Sequence, residues 1–339
     1  MSEKFLLPRF DDIGSFPLPK GIRTENISLD NDYLEIVQDT LAQTISAGVE
    51  APTYPQFRDM IKMFMGPIEK PETSESPYLV KEDAAQIFEL KALDAMGKNM
   101  AKDGKRLGAR VCVTGPIELY ISRFGATDYT DILFNLAHSV ARFLKKSMSF
   151  EYFDVTVGCI DEPSLGISPN VVFEEEDLIE AMTIATRPCK EIDVEVHLHS
   201  PLMVELCCHV PGINVVGVES AASPDYLKIV DKEVLSENHT YLRVGIARTD
   251  IVNMVAQLND QMGTNLWSDP QRLEREVLRV ESPMVMELRL AEAYRLFGDK
   301  IRYAGPDCGL GSWPTQNMAY KHLANCAQAI RSFRSKKIL

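Results

Sequence analysis

Four side chains of this 339-residue chain are suited to share one metal ion: His197, His199, Glu219 and Cys308. The two histidines stand two apart in VEVHLHS, so on an extended strand both rings point to one side. Glu219 ends the next apolar run, and Cys308 lies in GPDCGLG near the C-terminus. Two imidazoles, a carboxylate and a thiolate make a reasonable tetrahedral set for zinc. Mixed nitrogen, sulfur and oxygen ligation disfavours magnesium and calcium, which take oxygen. Cys207 and Cys208 are nearby alternative thiols, but they fit better as small buried hydrophobes on a helix. Asp161 and Glu162 close the run FDVTVGCID as an acid pair that suits either a substrate amine or a helix cap. In IGSFP at 13–17, Gly14 lets backbone N–H groups approach a ligand carboxylate. His138, His209, His239 and His322 stand at helix or loop positions and are expected to be structural.

These residues act together only if the elements bring them together. Apolar runs suited to buried parallel strands occur at Phe10–Ser15, Ala47–Pro52, Arg110–Thr114, Phe153–Asp161, Asp193–His199, Asn214–Glu219, Tyr241–Ala247 and Ile301–Pro306. Helical period falls between them: Leu34, Val37, Leu41 and Ile45 with Gly48 as a stop; Leu133 to Leu144; Leu178 to Ala185 behind the acidic turn Glu174 to Asp177; and Leu273 to Ala291 with a break at Pro283. Thr315 to Phe333 reads as a last helix. A doubly wound sheet would also alternate this way, so the polar residues decide. Nearly every run ends in chemically useful side chains, as at Ser15, Thr114, Asp161, His199, Glu219, Asp250 and Cys308. That is what the mouth of an α/β (β/α)8 TIM barrel requires. The expectation is one barrel over residues 1–339 with a helical excursion at about 55–108. Gly66 to Pro77, with three prolines, reads as a loop.

Composition bounds the function. Thirty-six Lys and Arg against 49 Asp and Glu leave a net charge of −13, which argues against a nucleic-acid footprint or an anionic membrane surface. No apolar run reaches the roughly 18 residues of a membrane span. The start, Met1 to Phe10, has no signal-peptide core. Seven cysteines without an export signal read as reduced thiols in a cytoplasmic protein.

IGSFP at 13–17, TGP at 114–116, DEPSLG at 161–166, His197-x-His199, Glu219 and PDCGLGSWP at 306–314 resemble, in the same order, the motifs of the catalytic half of cobalamin-independent methionine synthase. The match runs from about residue 9 to 335, and the length resembles the short single-barrel "core" type without the N-terminal barrel. The resemblance implies a catalytic zinc held by His197, His199, Glu219 and Cys308, with methyl transfer to homocysteine to give methionine. It further implies that Ser15, with the Ile13–Gly14 backbone, holds the homocysteine carboxylate, and that Asp161 holds its amine. The chain departs from the family in three places. The family has His-x-Cys where His199 stands here. The segment that supplies a substrate-binding glutamate reads Tyr54 to Met60 without one, leaving Gln56 as the substrate-binding candidate. The stretch with a proton-transfer histidine reads Ala247-Arg248-Thr249-Asp250. The TGP loop also lacks the family's folate-stacking tryptophan, and Trp267 and Trp313 are candidate folate or corrinoid contacts or packing residues.

With Glu219 and Cys308 ionised, a zinc dication and its ligands sum to zero. The bound thiol is then acidified more, but its thiolate is a poorer nucleophile. That favours an activated methyl donor, a methyl-corrinoid or corrinoid protein, over methyl-folate, whose leaving nitrogen needs a proton. Tyr120, Arg123 and Phe124 are expected near the rim of a mouth open to such a donor. Competing readings are alkyl transfer to another thiol such as coenzyme M, a metal-free barrel enzyme resembling uroporphyrinogen decarboxylase, and a non-enzymatic zinc or thiol-binding regulator.

Overall fold

The computed structural model describes residues 7–338. Most of the start that reads as free of a signal peptide, Met1 to Leu6, lies outside them. The strands are β1 (Arg9–Phe10), β2 (Ser74–Ser76), β3 (Leu79–Val80), β4 (Leu107–Thr114), β5 (Phe153–Asp161), β6 (Asp193–Leu198), β7 (Val215–Val218), β8 (Tyr241–Ala247) and β9 (Ile301–Pro306). Seven of them form one sheet in the order β1-β9-β8-β7-β6-β5-β4. Every pair in it is parallel.

The sheet curls until its two edges face one stretch of chain. Ala51 bridges to Asp11 on one side and Thr53 to Arg110 on the other, while Gln56 bridges to Ser15. Ala51 N–H donates to the Phe10 carbonyl at 3.0 Å, and Arg110 N–H donates to the Pro52 carbonyl at 2.9 Å. Residues 50–56 are thus the missing stave. They form isolated bridges instead of a ladder because Pro52 and Pro55 have no N–H to donate. The second strand expected at Ala47–Pro52 is displaced accordingly. Ala47 still belongs to the helix Asn31–Ala47, and Gly48, at φ 109°, closes that helix in the left-handed conformation.

Helices cover the outside. The expected break at Pro283 separates Pro270–Val280 from Pro283–Phe297, with the proline at a first-turn position that needs no N–H. The stripes read from sequence become Thr130–Ser147, Glu175–Thr186 and Gln316–Ile338. Residues 57–106 hold the helix Met60–Glu69, the antiparallel pair β2–β3 and the helix Leu90–Ala101. The stretch Gly66 to Pro77 is therefore not a plain loop, since the first helix runs on through Pro67.

Inside the barrel, side chains two residues apart stack in layers. Ala51, Val157, Val215 and Tyr303 form a small apolar floor. Above it lie two fully buried ion pairs, Arg110 with Glu195 at 3.1 Å and Arg243 with Asp11 at 3.2 Å. On β6 the series Glu195, His197, His199 climbs from this layer to the mouth.

Candidate functional site

Three strand ends, those of β6, β7 and β9, bring four side chains together at the mouth. One ligand atom from each of His197, His199, Glu219 and Cys308 lies within 4.8 Å of the other three. His199 Nε2 is 3.3 Å from Glu219 Oε1 and 3.6 Å from Cys308 Sγ. The imidazole rings stand 5.3 Å apart at 76°. His197 is buried, and neither of its ring nitrogens has a hydrogen-bond partner among the described residues. A buried polar group left unpaired is costly, and here the unpaired ring faces three other donor groups.

The electrostatics fit a cation. Burial holds both histidines below their ordinary range, in the neutral form that ligates. Burial, with the charge of Asp307 added, raises Glu219 to about 7. Burial, then the charge of Glu219, pushes Cys308 up to about 12. Four lone-pair groups are crowded together, and a dication would stabilise the ionised form of both acids. Cys207 and Cys208 are buried on the short helix Val204–Cys208 and do not join the group. His199 does.

A cavity of about 470 Å³ adjoins this group, lined by Ile13, Ser15, Gln56, Asp161, His197, His199 and Cys308 among others. Gly14 is not in its wall; at φ 99° it turns the chain against Thr53. The Asp161–Glu162 pair is divided. Asp161 lines the cavity, accepts from the Cys159 thiol at 3.4 Å and stands 3.9 Å from Arg110 Nη2, too far for a hydrogen bond. Burial raises its pKa, with Arg110 opposing. Glu162 faces away and accepts the Ile117 and Glu118 N–H groups at 2.9 and 2.7 Å, capping the helix Pro116–Phe124. The Gln56 amide donates to Cys112 Sγ. Gly309 and Gly311 let the loop after β9 lie on Ser15, with which a Cβ at either position would collide.

Some expectations fail. Tyr120 is fully buried, its hydroxyl shared with Thr127 and accepting the Tyr129 N–H, so it cannot stand at a rim. Arg123 pairs with Glu69 at 2.6 Å, and neither Arg123 nor Phe124 lines the cavity. Of the two readings open for Trp313, packing is the one seen: it is buried, donates to the Thr249 carbonyl and lies on His322. Trp267 is half-exposed on a short turn away from the cavity wall. Asp250 is tied to Arg248 at 2.8 Å. Sequence reasoning missed Asp59, Met60 and Ile61, which line the cavity from the first turn of the excursion helix. The available signal was Asp59 as its N-cap. A second cavity, of about 820 Å³, shares Ser15, Gln56, Asp59 and Gly311 with the first.

No protein-family model and no curated protein matches the chain. Solved structures do. A B12-independent methionine synthase from Shewanella sp. W3-18-1 in complex with selenomethionine superposes with a TM-score of 0.65 at 11% identity, covering 98% of this chain and 99% of that one. A methyltransferase from Methanosarcina mazei superposes with a TM-score of 0.61 at 11% identity, covering 97% and 94%. At this identity the likeness is one of fold, and it agrees with the TIM-barrel architecture.

Proposed function

We propose that this protein is a zinc-dependent methyltransferase that moves a methyl group to the thiol of homocysteine, giving methionine. The observation that carries the proposal is the convergence of His197, His199, Glu219 and Cys308 beside a cavity that also contains Asp161 and Ser15. His197, His199, Glu219 and Cys308 would hold the zinc, which would supply the Lewis acidity that lowers the pKa of an incoming thiol. Asp161 lines the cavity and takes the substrate amine; its carboxylate accepts from the Cys159 thiol, and Arg110 stands 3.9 Å away, beyond hydrogen-bond reach. Ser15 lines the same cavity and takes the substrate carboxylate. The two ends of the amino acid are thereby fixed and the sulfur is aimed at the metal ligands, which is the positioning part of catalysis.

The donor in this reading is a methyl-corrinoid. Asp250, where a proton-transferring histidine would stand, is engaged by Arg248. That leaves no general acid at this strand end for a departing folate nitrogen, whereas a corrinoid leaves without a proton. Asp161 favours an amine-bearing thiol over coenzyme M, whose sulfonate it would repel. The test is zinc-loaded protein with homocysteine and, separately, methylcobalamin and methyl-folate. Methionine should form faster from methylcobalamin. Turnover that survives removal of zinc would refute the metal role, and turnover with methyl-folate alone would refute the donor.

A further inference from the structure

Glu219 and Cys308 do not come from neighbouring strands. Glu219 follows β7 and Cys308 follows β9, with β8 between them. Something must set the distance between these two loops, and the residue beside Cys308 has the geometry to do it. The Asp307 carboxylate reaches across the end of β8 and accepts three consecutive backbone N–H groups of the turn that follows Glu219. Ser220 and Ala221 donate to Oδ1 at 2.9 and 2.8 Å, and Ala222 donates to Oδ2 at 2.7 Å. Asp307 is almost fully buried, and its own N–H donates to the Ala247 carbonyl at 2.8 Å, so its backbone is held too. The crossing needs room over β8. Gly245 provides it, because a Cβ there would collide with Asp307 Oδ1. The Ser220 hydroxyl then donates to the Gly245 carbonyl at 2.8 Å and ties the turn down at the point of crossing.

We infer that Asp307 is a positioning residue for the metal centre: its carboxylate clamps the turn after Glu219 and fixes that ligand against Cys308. The inference rests on the reading of the four donors as a metal centre. Charged acceptors that collect several backbone N–H groups hold a turn more firmly than neutral ones. Groups that orient metal ligands typically matter by about 10–100-fold in metal affinity. Glu162 provides an internal control. It is a buried acid that also follows a strand and also accepts backbone N–H groups, but it serves the helix Pro116–Phe124 and no proposed ligand.

The experiment is cobalt(II) titration of the full chain, read by absorption and by chelator competition. Wild type should take one cobalt with a thiolate-to-metal band that Cys308→Ser abolishes. Asp307→Ala should bind about 10–100-fold more weakly, with an altered d–d spectrum. Asp307→Asn, which keeps an acceptor oxygen but loses the charge, should fall between. Glu162→Gln should keep the wild-type spectrum and affinity. Wild-type cobalt affinity and spectrum in Asp307→Ala overturn the inference, and if that variant does not fold, the same result in Asp307→Asn overturns it. Equal weakening in Glu162→Gln and Asp307→Asn also overturns it, because general loosening would then explain the effect. A wild type that takes up no cation overturns the metal reading and the clamp together, whereas a metal-binding wild type with an indifferent Asp307 overturns the clamp alone.

Discussion

The barrel interior holds ionisable side chains in two layers, which share only β6, and they are treated in opposite ways. In the middle layer each cation has its anion: Arg110 with Glu195, and Arg243 with Asp11 through its Nε edge. At the mouth, which His197 reaches two residues above Glu195 on β6, the side chains are two neutral imidazoles, a carboxyl group and a thiol, with no cation among the four. The middle layer supplies its own counter-charge and makes the interior of a barrel polar without a ligand. The mouth carries an excess of lone pairs: His199, Glu219 and Cys308 partner one another, and His197 has no partner among the described residues. Burial alone does not separate the two layers, since Glu195 and His197 are both buried. The presence of a cation does: Arg243 leaves both Nη atoms unpartnered among the described residues, yet its charge and that of Asp11 balance, whereas the four groups of the mouth hold no cation.

The largest effects should come from taking the mouth apart. Cys308→Ala and His197→Ala are expected to lose bound zinc and to slow methyl transfer by on the order of 10³-fold, since metal Lewis acidity is worth several kcal/mol. Dialysis against a chelator should give the same loss, reversed by zinc. Zinc content and methionine formation are the measurements, and variants that keep both would erase the distinction between the layers. The middle layer should respond in stability instead. Arg243→Met leaves Asp11 buried with no counter-charge and should destabilise the fold by about 3–5 kcal/mol in urea unfolding. In metal-free protein, Cys308→Ala should cost far less, because the thiol has no buried charge partner to strand.

A smaller effect separates the two sides of the mouth. Asp161→Asn removes the charge proposed to hold the substrate amine but touches none of the four metal donors. A hydrogen bond to a charged group is worth about 1.5–3 kcal/mol, so kcat/KM for homocysteine should fall by about 10–100-fold. Turnover of a thiol without an amine should change little. Equal loss for both thiols would mean that Asp161 works through the barrel wall and not through the substrate.

The site was legible in the sequence where chemistry and period coincide. His197 and His199 share one face of β6 by simple alternation, Glu219 directly follows an apolar run, and Cys308 stands two residues beyond another. The same alternation carried a further signal: Arg110, Glu195 and Arg243 each interrupt an apolar strand, which marks a charged interior layer. The stave at 50–56 was hard to place because Pro52 and Pro55 remove the ladder by which a strand is recognised. The Asp161–Glu162 pair could not be divided from sequence, since adjacent residues on a strand face opposite ways and only the sheet's position says which way is inward. Tyr120 was misplaced for a related reason. Its helix lies beside the mouth, but the face that carries Tyr120 packs against Phe124 and Phe173.

The last comparison is between two histidines. His322, like His197, is buried with both ring nitrogens unpartnered among the described residues, yet its neighbours are the Trp313 ring at 4.4 Å and the helical shell. A missing partner is therefore not by itself the mark of a ligand; convergence with other donors is. Burial lowers His322 from 6.5 to about 3, so the folded protein holds it neutral while the unfolded chain protonates it below pH 6.5. Between those values the unfolded state binds more protons, so the stability present above pH 6.5 is lost as the pH falls toward 3. At about pH 5 the shortfall should be about 2 kcal/mol. His322→Phe keeps the aromatic packing and cannot protonate. Urea unfolding at about pH 7.5 and pH 5 should therefore show wild type losing about 2 kcal/mol more than the variant. Equal losses would mean that His322 accepts a proton inside the fold, and the contrast between a packing histidine and a ligand histidine would then rest on geometry alone.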